Sequence, residues 1–465
     1  MATRKAVLKE VDLPDFGSSS EMPELADEIY RARFSRLMDR ASNAGLDILV
    51  VYADREHSAN LAWMSGFDPR FEEALMIARK GRQPVLLTGP ENQGPAKASP
   101  LDFDVRLYPP FGLLGQERSH TRPLAEILSE AGVKPGLNIG ICGWKYFSEQ
   151  EFDSPETTIE IPAYIVETIS ELGGTGSRIS NAGAIFMDPS NGLRATMEID
   201  ELARFEFAAC HTSEAVKRVV FGARPGMSEF EAASLIRPIG LPLSCHTMMS
   251  SGERAWFGLL SPTSRILEKG DAITTAYGVQ GALNCRAGWL ANDEGDLPES
   301  IRDYIDVLVR PYFEAVANWL ETVGIGITGG ELFAGIEKRI GDPFFGVGLN
   351  PGHLIHLDEW MNSPIYNGSL DKLQSGMALQ VDVIPATGGP YFTTNMEDGI
   401  ILLDDRGRAE FADKYPDAAD RIATRRAFMR DRLGIALKPE VLPMSNLASF
   451  LPPFWLSPDR AMVLE

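Results

Sequence analysis

Two acids interrupt an apolar strand pattern near the C-terminal third of the chain, where Glu397 and Asp398 stand between Met396 and the run Gly399, Ile400, Ile401, Leu402. A carboxylate in such a setting is costly unless a cation, a proton or a hydrogen-bond donor meets it, so Glu397 is a candidate for acid–base work or for stabilising a substrate cation. Asp382, in LQVDV, makes a similar case. Arg286, in NCRAGW, either holds a substrate carboxylate by a two-pronged pair or closes a buried ion pair. Its neighbour Cys285 reads as a nucleophile or as a small core residue. His246, in LSCHTMMSSG, is either a proton carrier or a hydrogen-bonded core histidine. His353 and His356 are three apart in PGHLIH, and on a strand they face opposite sides, so only a bend brings both into one pocket. Together these residue types suit proton transfer and the stabilisation of a cationic group.

Alternating elements must hold these residues. Glu24 to Ala44 carries helical spacing stopped by Gly45, and Leu46 to Tyr52 reads as a buried strand. Apolar runs at Ala74 to Ala78, Pro84 to Leu87 and Asn138 to Cys142, with a helical pattern over Pro123 to Ala131, predict an α/β domain over 25–188. The segment 188–194, with Pro189 and Gly192, predicts a linker. Thr196 to Phe221 then predicts a long helix with Leu202, Phe205, Ala209, Val216 and Val219 near one face. Ser228 with Glu231, and Thr328 with Glu331, have capping-box spacing at two helix starts. Ile301 to Val323 predicts a helix kinked at Pro311, and strands are predicted at Ala378 to Val383, Tyr391 to Thr394 and Gly399 to Leu403. The second domain, 195–440, is thus α+β, flanked by a mobile or surface-wrapping arm at 1–24 and a surface-packing tail at 441–465.

This second domain resembles the pita-bread family of creatinase, prolidase and aminopeptidase P, through LRATMEIDELARFEFAACHTSEAV, EKGDAITTAYG, LNPGHLIHLDEW, SGMALQVDVIP and NMEDGIILLDDRG. The first domain resembles the family's N-terminal domain through GLDILVVYADREHSANLAWMSGFDPRFEEALMIAR. The resemblance implies five metal ligands, two Asp, one His and two Glu, around two divalent ions. The first Asp position reads Ala276, and the second reads Leu283 or Cys285 according to whether Arg286 or Gly281 is aligned. His353 keeps the His position, Asp382 replaces the first Glu, and Glu397 keeps the second. Two dications lack the charge to balance them, so the expectation is no cofactor, with a single divalent metal as the alternative. The pattern is closest to creatinase, which works without metal, although Leu259 stands where its proton-shuttling histidine is expected. Tyr277 and Cys285 border the vacated positions and would fill the metal space or touch substrate. Arg70 and Phe71 align with a segment that in creatinase-like dimers reaches the partner's pocket, which implies a homodimer.

The resemblance therefore implies a metal-independent, creatinase-like hydrolase of a carbon–nitrogen bond in a small polar substrate. A mononuclear-metal Xaa-Pro-type peptidase or lyase, and a non-catalytic binding protein, are the alternatives. Composition bounds the rest. With 465 residues, 44% hydrophobic and 23% charged, the chain is long enough for two or three domains. A formal charge of -21 and no dense run of Lys and Arg argue against nucleic acid and anionic membrane as partners. Four cysteines without CxxC spacing, an N-terminus without an apolar signal core, and no membrane-length apolar run predict a cytoplasmic protein.

Overall fold

The computed structural model describes residues 4–465. They form two compact units, one of residues 25–194 and one that joins residues 4–24 to 195–465.

The first unit is an α/β sheet of six strands. Their spatial order is Asp104–Leu107, Val85–Thr88, Ala74–Ala78, Ile48–Ala53, Asn138–Cys142 and Arg178–Asn181. Only Ala74–Ala78 runs antiparallel to its neighbours. Ile48, Val50, Ile77, Leu87 and Ile141 bury one face beneath helices that include Leu124–Glu130 and Ala163–Gly173. The β-branched run ILVVYA has no solvent face, as a central strand covered on both sides requires.

The second unit is built on a sheet whose strands run, in order, His353–Leu354, Ala378–Val381, Asn395–Leu402, Ala282–Trp289, Ala272–Val279 and Met248–Ser251. The long helix Ile199–Gly222 lays Leu202, Phe205, Ala209, Val216 and Val219 on the core shared with the hairpin residues Ile273, Tyr277, Val279 and Leu283. Both capping boxes form, at Ser228 with Glu231 and at Thr328 with Glu331. Around Pro311 the chain is a π-turn, Ile305–Val309, that feeds the helix Arg310–Thr322 with the proline in its first turn. The backbone stays helical through Val309 and Arg310, so the proline, which has no N–H to give to the preceding turn, sits where the π-turn meets the α-helix.

Three further expectations are corrected. Tyr391 to Thr394 is not a strand: Phe392 takes a left-handed φ of 56°, which breaks extended backbone, and the strand begins at Asn395. The residues expected to form an arm instead supply the strand Ala6–Glu10, which pairs antiparallel with Arg460–Leu464. The tail is part of the same core, with Val441–Pro443 paired to Ile400–Leu402 and Phe450, Phe454 and Trp455 fully buried. Among the described residues, no helix is long and apolar enough to cross a membrane.

Candidate active site

Strand parity sorts the candidate residues. Cys285 lies opposite Ala276 on one side and opposite Glu397 on the other. Side chains alternate along a strand, so Ala276, Cys285 and Glu397 share a face with Thr274, Leu283 and Asn395, and all line a cavity of about 500 Å³. The intervening residues Tyr277, Arg286 and Asp398 point the other way. The register puts Cys285 opposite Ala276 with Leu283 two residues away on the same face, and none of the three carries a carboxylate.

At one end of this cavity Glu359, Asp382 and Glu397 line the wall beside the fully buried imidazole of His353. His353 reaches it because Gly352, at a φ of 118°, brings the chain so close to Gln380 that a Cβ there would meet the Gln380 carbonyl at 2.8 Å. The imidazole stacks on Trp360, with ring centroids 4.1 Å apart and planes 17° apart. Its Nε2 lies 3.3 Å from Glu359 Oε1, 3.8 Å from Asp382 Oδ2 and 3.9 Å from Glu397 Oε1. Glu397 Oε1 accepts a hydrogen bond of 3.1 Å from Gln380 Nε2, which also donates to the Leu283 carbonyl. Asp382 is 5% exposed, and its Oδ1 is buried and accepts no hydrogen bond among the described residues.

The electrostatics follow from burial and crowding. Desolvation, with Asp382 second, pushes the Glu397 pKa up to about 8. Desolvation also raises Asp382, against the pull of His353, and the two carboxylates titrate as a pair. Burial alone would lower His353, but Glu359, Glu397 and Asp382 outweigh it and raise the imidazole to about 10. Three carboxylates thus converge on a space that draws in a positive charge, whether a proton on His353 or a bound cation. His353, Glu359 and Glu397 each offer a ligand atom, all within 4.8 Å of one another, and Asp382 Oδ1 supplies a further unengaged oxygen. That donor set fits one divalent ion. It lacks the charge for two, because the positions that the resemblance assigns to two further carboxylates hold Ala276 and either Leu283 or Cys285.

The other expected residues lie elsewhere or do something else. Arg286 is fully buried behind the cavity and donates to Asp398 Oδ2 at 2.7 Å, to the Phe450 carbonyl at 2.9 Å and to the Cys285 carbonyl at 2.7 Å. It is a structural ion pair, not a substrate anchor. Tyr277 faces the core side of the sheet, 3% exposed, and does not line the cavity. Cys285 does line it, but burial, then Glu397 and Asp382, push its thiol pKa up, so it stays a neutral thiol that accepts from Asn395 Nδ2. His356 turns away from His353, with its ring edge on Phe205 and its Nε2 3.6 Å from Glu201 of the long helix. His246 is exposed and donates from Nε2 to the Leu259 carbonyl at 2.6 Å, so it braces the rim of the cavity and is not placed to shuttle protons inside it. Arg70, paired with Asp68, and Phe71, 58% exposed, belong to the 25–194 unit. Sequence reasoning missed Glu359 and Trp360. Their only trace was the acid and aromatic pair closing LNPGHLIHLDEW, six and seven residues after His353.

The Arg286 pair carries a prediction. Removing one member of a buried pair strands the other charge, so Arg286→Met should cost about 3–5 kcal/mol in urea unfolding. The double change Arg286→Met with Asp398→Asn should recover part of that loss. A stable Arg286→Met that raised only the KM for acidic substrates would return the residue to the active site.

No family model and no curated protein matches this chain. Solved structures do. It is similar to the prolidase of Pyrococcus horikoshii, at 15% identity and a TM-score of 0.61 over 80% of this chain and 95% of that one. It is similar to an Xaa-Pro dipeptidase of Bacillus anthracis, at 19% identity and 0.59 over 81% and 96%. A His243Ala form of Escherichia coli aminopeptidase P aligns at 14% identity and 0.55 over 82% and 93%. The chain has the pita-bread fold, with its N-terminal and C-terminal domains.

Proposed function

We propose that this chain is a hydrolase of a carbon–nitrogen bond in a small substrate, and that His353, Glu359, Asp382 and Glu397 hold one divalent cation. The observation that carries it is the convergence of three carboxylates and an imidazole on one end of an otherwise apolar cavity, with a buried carboxylate oxygen of Asp382 left without a partner. The peptidases that share the fold, acting on peptide bonds next to proline, support the bond type. This reading replaces the metal-independent reaction expected from the lost aspartates. Three carboxylates cannot balance two dications, but against one they leave a formal charge of -1, a surplus a single ion tolerates.

A bound divalent ion would polarise the scissile carbonyl and lower the pKa of an attacking water. The chain's own residues do the rest. Glu397, held by Gln380 through one oxygen, would share the ion and is placed to take a proton from the attacking water and return it to the leaving nitrogen. Trp360 fixes the plane of His353. Trp256, Leu259, Leu349, Ile384 and Phe392 wall the cavity with apolar surface.

Elemental analysis of protein prepared without chelator should find one equivalent of Zn²⁺, Mn²⁺ or Fe²⁺. Activity against an amide panel should vanish on dialysis against chelator and return with metal. Two equivalents, or full activity in metal-free protein, would overturn the single-ion site and restore the creatinase-like expectation. Metal binding with no turnover of any amide would favour a non-catalytic binding protein.

A further inference from the structure

The cavity is lopsided in a way that names its substrate. Glu359, Asp382 and Glu397 are the charged side chains on its wall, and among the described residues lining it none is Lys or Arg. The arginines close in sequence are committed elsewhere. Arg286 is paired with Asp398 behind the sheet, Arg254 with Glu229, and Arg265 with Asp271. A substrate carboxylate would therefore meet no Lys or Arg, and the three acids exceed in formal charge either a proton on His353 or one bound dication. An ammonium group meets the opposite field. The rest of the cavity, walled by Met248, Trp256, Leu349, Ile384, Pro385 and Phe392, offers an apolar body contact and little hydrogen bonding. An acidic cluster alone is no site, but here Asp382, 5% exposed, lines the cavity with an oxygen that nothing in the described protein satisfies.

We propose that the substrate carries a cationic amine on an apolar or aromatic body and no carboxylate, as in an aminoacyl amide of a neutral amine. This rests on the reading of the cavity as the active site and narrows it: selection against acids is built into the wall by the excess of carboxylates and the absence of any Lys or Arg to receive them. A free dipeptide ending in a carboxylate is a poor ligand for this site.

Trp256 and Trp360 both line the cavity, so intrinsic fluorescence reports occupancy directly. Three probes share one body: 2-phenylethylamine, 3-phenylpropionamide and 3-phenylpropionate. Titrated at low salt into metal-free and metal-loaded protein, the amine should bind about tenfold or more tighter than the carboxylate, with the amide between them and the gap shrinking as salt rises. Leu349 is 53% exposed at the cavity wall, so Leu349→Arg can be tolerated and should narrow or invert the preference. Carboxylate binding as tight as amine binding, or no binding of any probe up to its solubility limit, would overturn the proposal. Amine preference without hydrolysis of any amide would sink the catalytic reading and leave this one standing. Turnover of acid-bearing dipeptides with tight carboxylate binding would do the reverse.

Discussion

Glu397→Gln should lose about a hundredfold or more in kcat while the fold survives, because the amide keeps the shape and the Gln380 contact but can no longer accept a proton. Stability should move in a direction that marks the residue as functional. The folded-state pKa of Glu397 rises from 4.5 to about 8, so between those values the folded metal-free protein holds a proton that the unfolded chain has lost. Stability therefore falls as pH rises through that window. His353 acts with the same sign: raised from 6.5 to about 10, it contributes stability that is fully present below 6.5 and lost as pH climbs toward 10. Removing the Glu397 charge deletes one of these slopes. Melting curves of metal-free protein should show the variant equal to or above wild type at pH 8, with a shallower decline from pH 5 to 9. A variant that melts several degrees lower at every pH would make Glu397 a structural residue.

The double variant Ala276→Asp with Cys285→Asp should raise metal stoichiometry from one to two. The two positions face each other across the hairpin and Cys285 faces Glu397, so new carboxylates there would point into the same end of the cavity. Formal charge in the site would then be -5 against +4, close to the balance that a single ion has now. Stripped of metal, the variant would bury two more like charges and should lose several kcal/mol of stability, which Mn²⁺ or Zn²⁺ restores. Elemental analysis and melting with and without chelator read both effects. A stoichiometry that stays at one would mean that these positions do not border a second ion site.

What was legible in the residues follows from short-range rules. The long helix, both capping boxes and the strands Ala74–Ala78 and Asn138–Cys142 depend on local periodicity and local hydrogen bonding, and they form where the pattern places them. His353, Asp382 and Glu397 were also legible, from acids in apolar strands and from the pita-bread resemblance, and the sheet brings the three within 4 Å of the imidazole Nε2 or onto it. Arg286 and Tyr277 were misplaced for a reason that sequence cannot supply. They alternate with Cys285 and Ala276, and which parity faces the cavity is set by pairing to Asn395–Leu402, more than a hundred residues away.

Glu359 and Trp360 escaped for a related reason. The strand at His353 ends after two residues, and the turn that follows folds Glu359 back onto His353 while sending His356 toward Glu201. The sequence by itself determined most of the elements, their order and three of the four polar groups of the site, because propensity and burial cost act residue by residue. Only the tertiary structure decided which face of each strand meets the cavity, that Arg286 is spent on Asp398, and that no Lys or Arg lines the wall. Those outcomes depend on register and long-range pairing, which a single chain read in order does not encode at any one position.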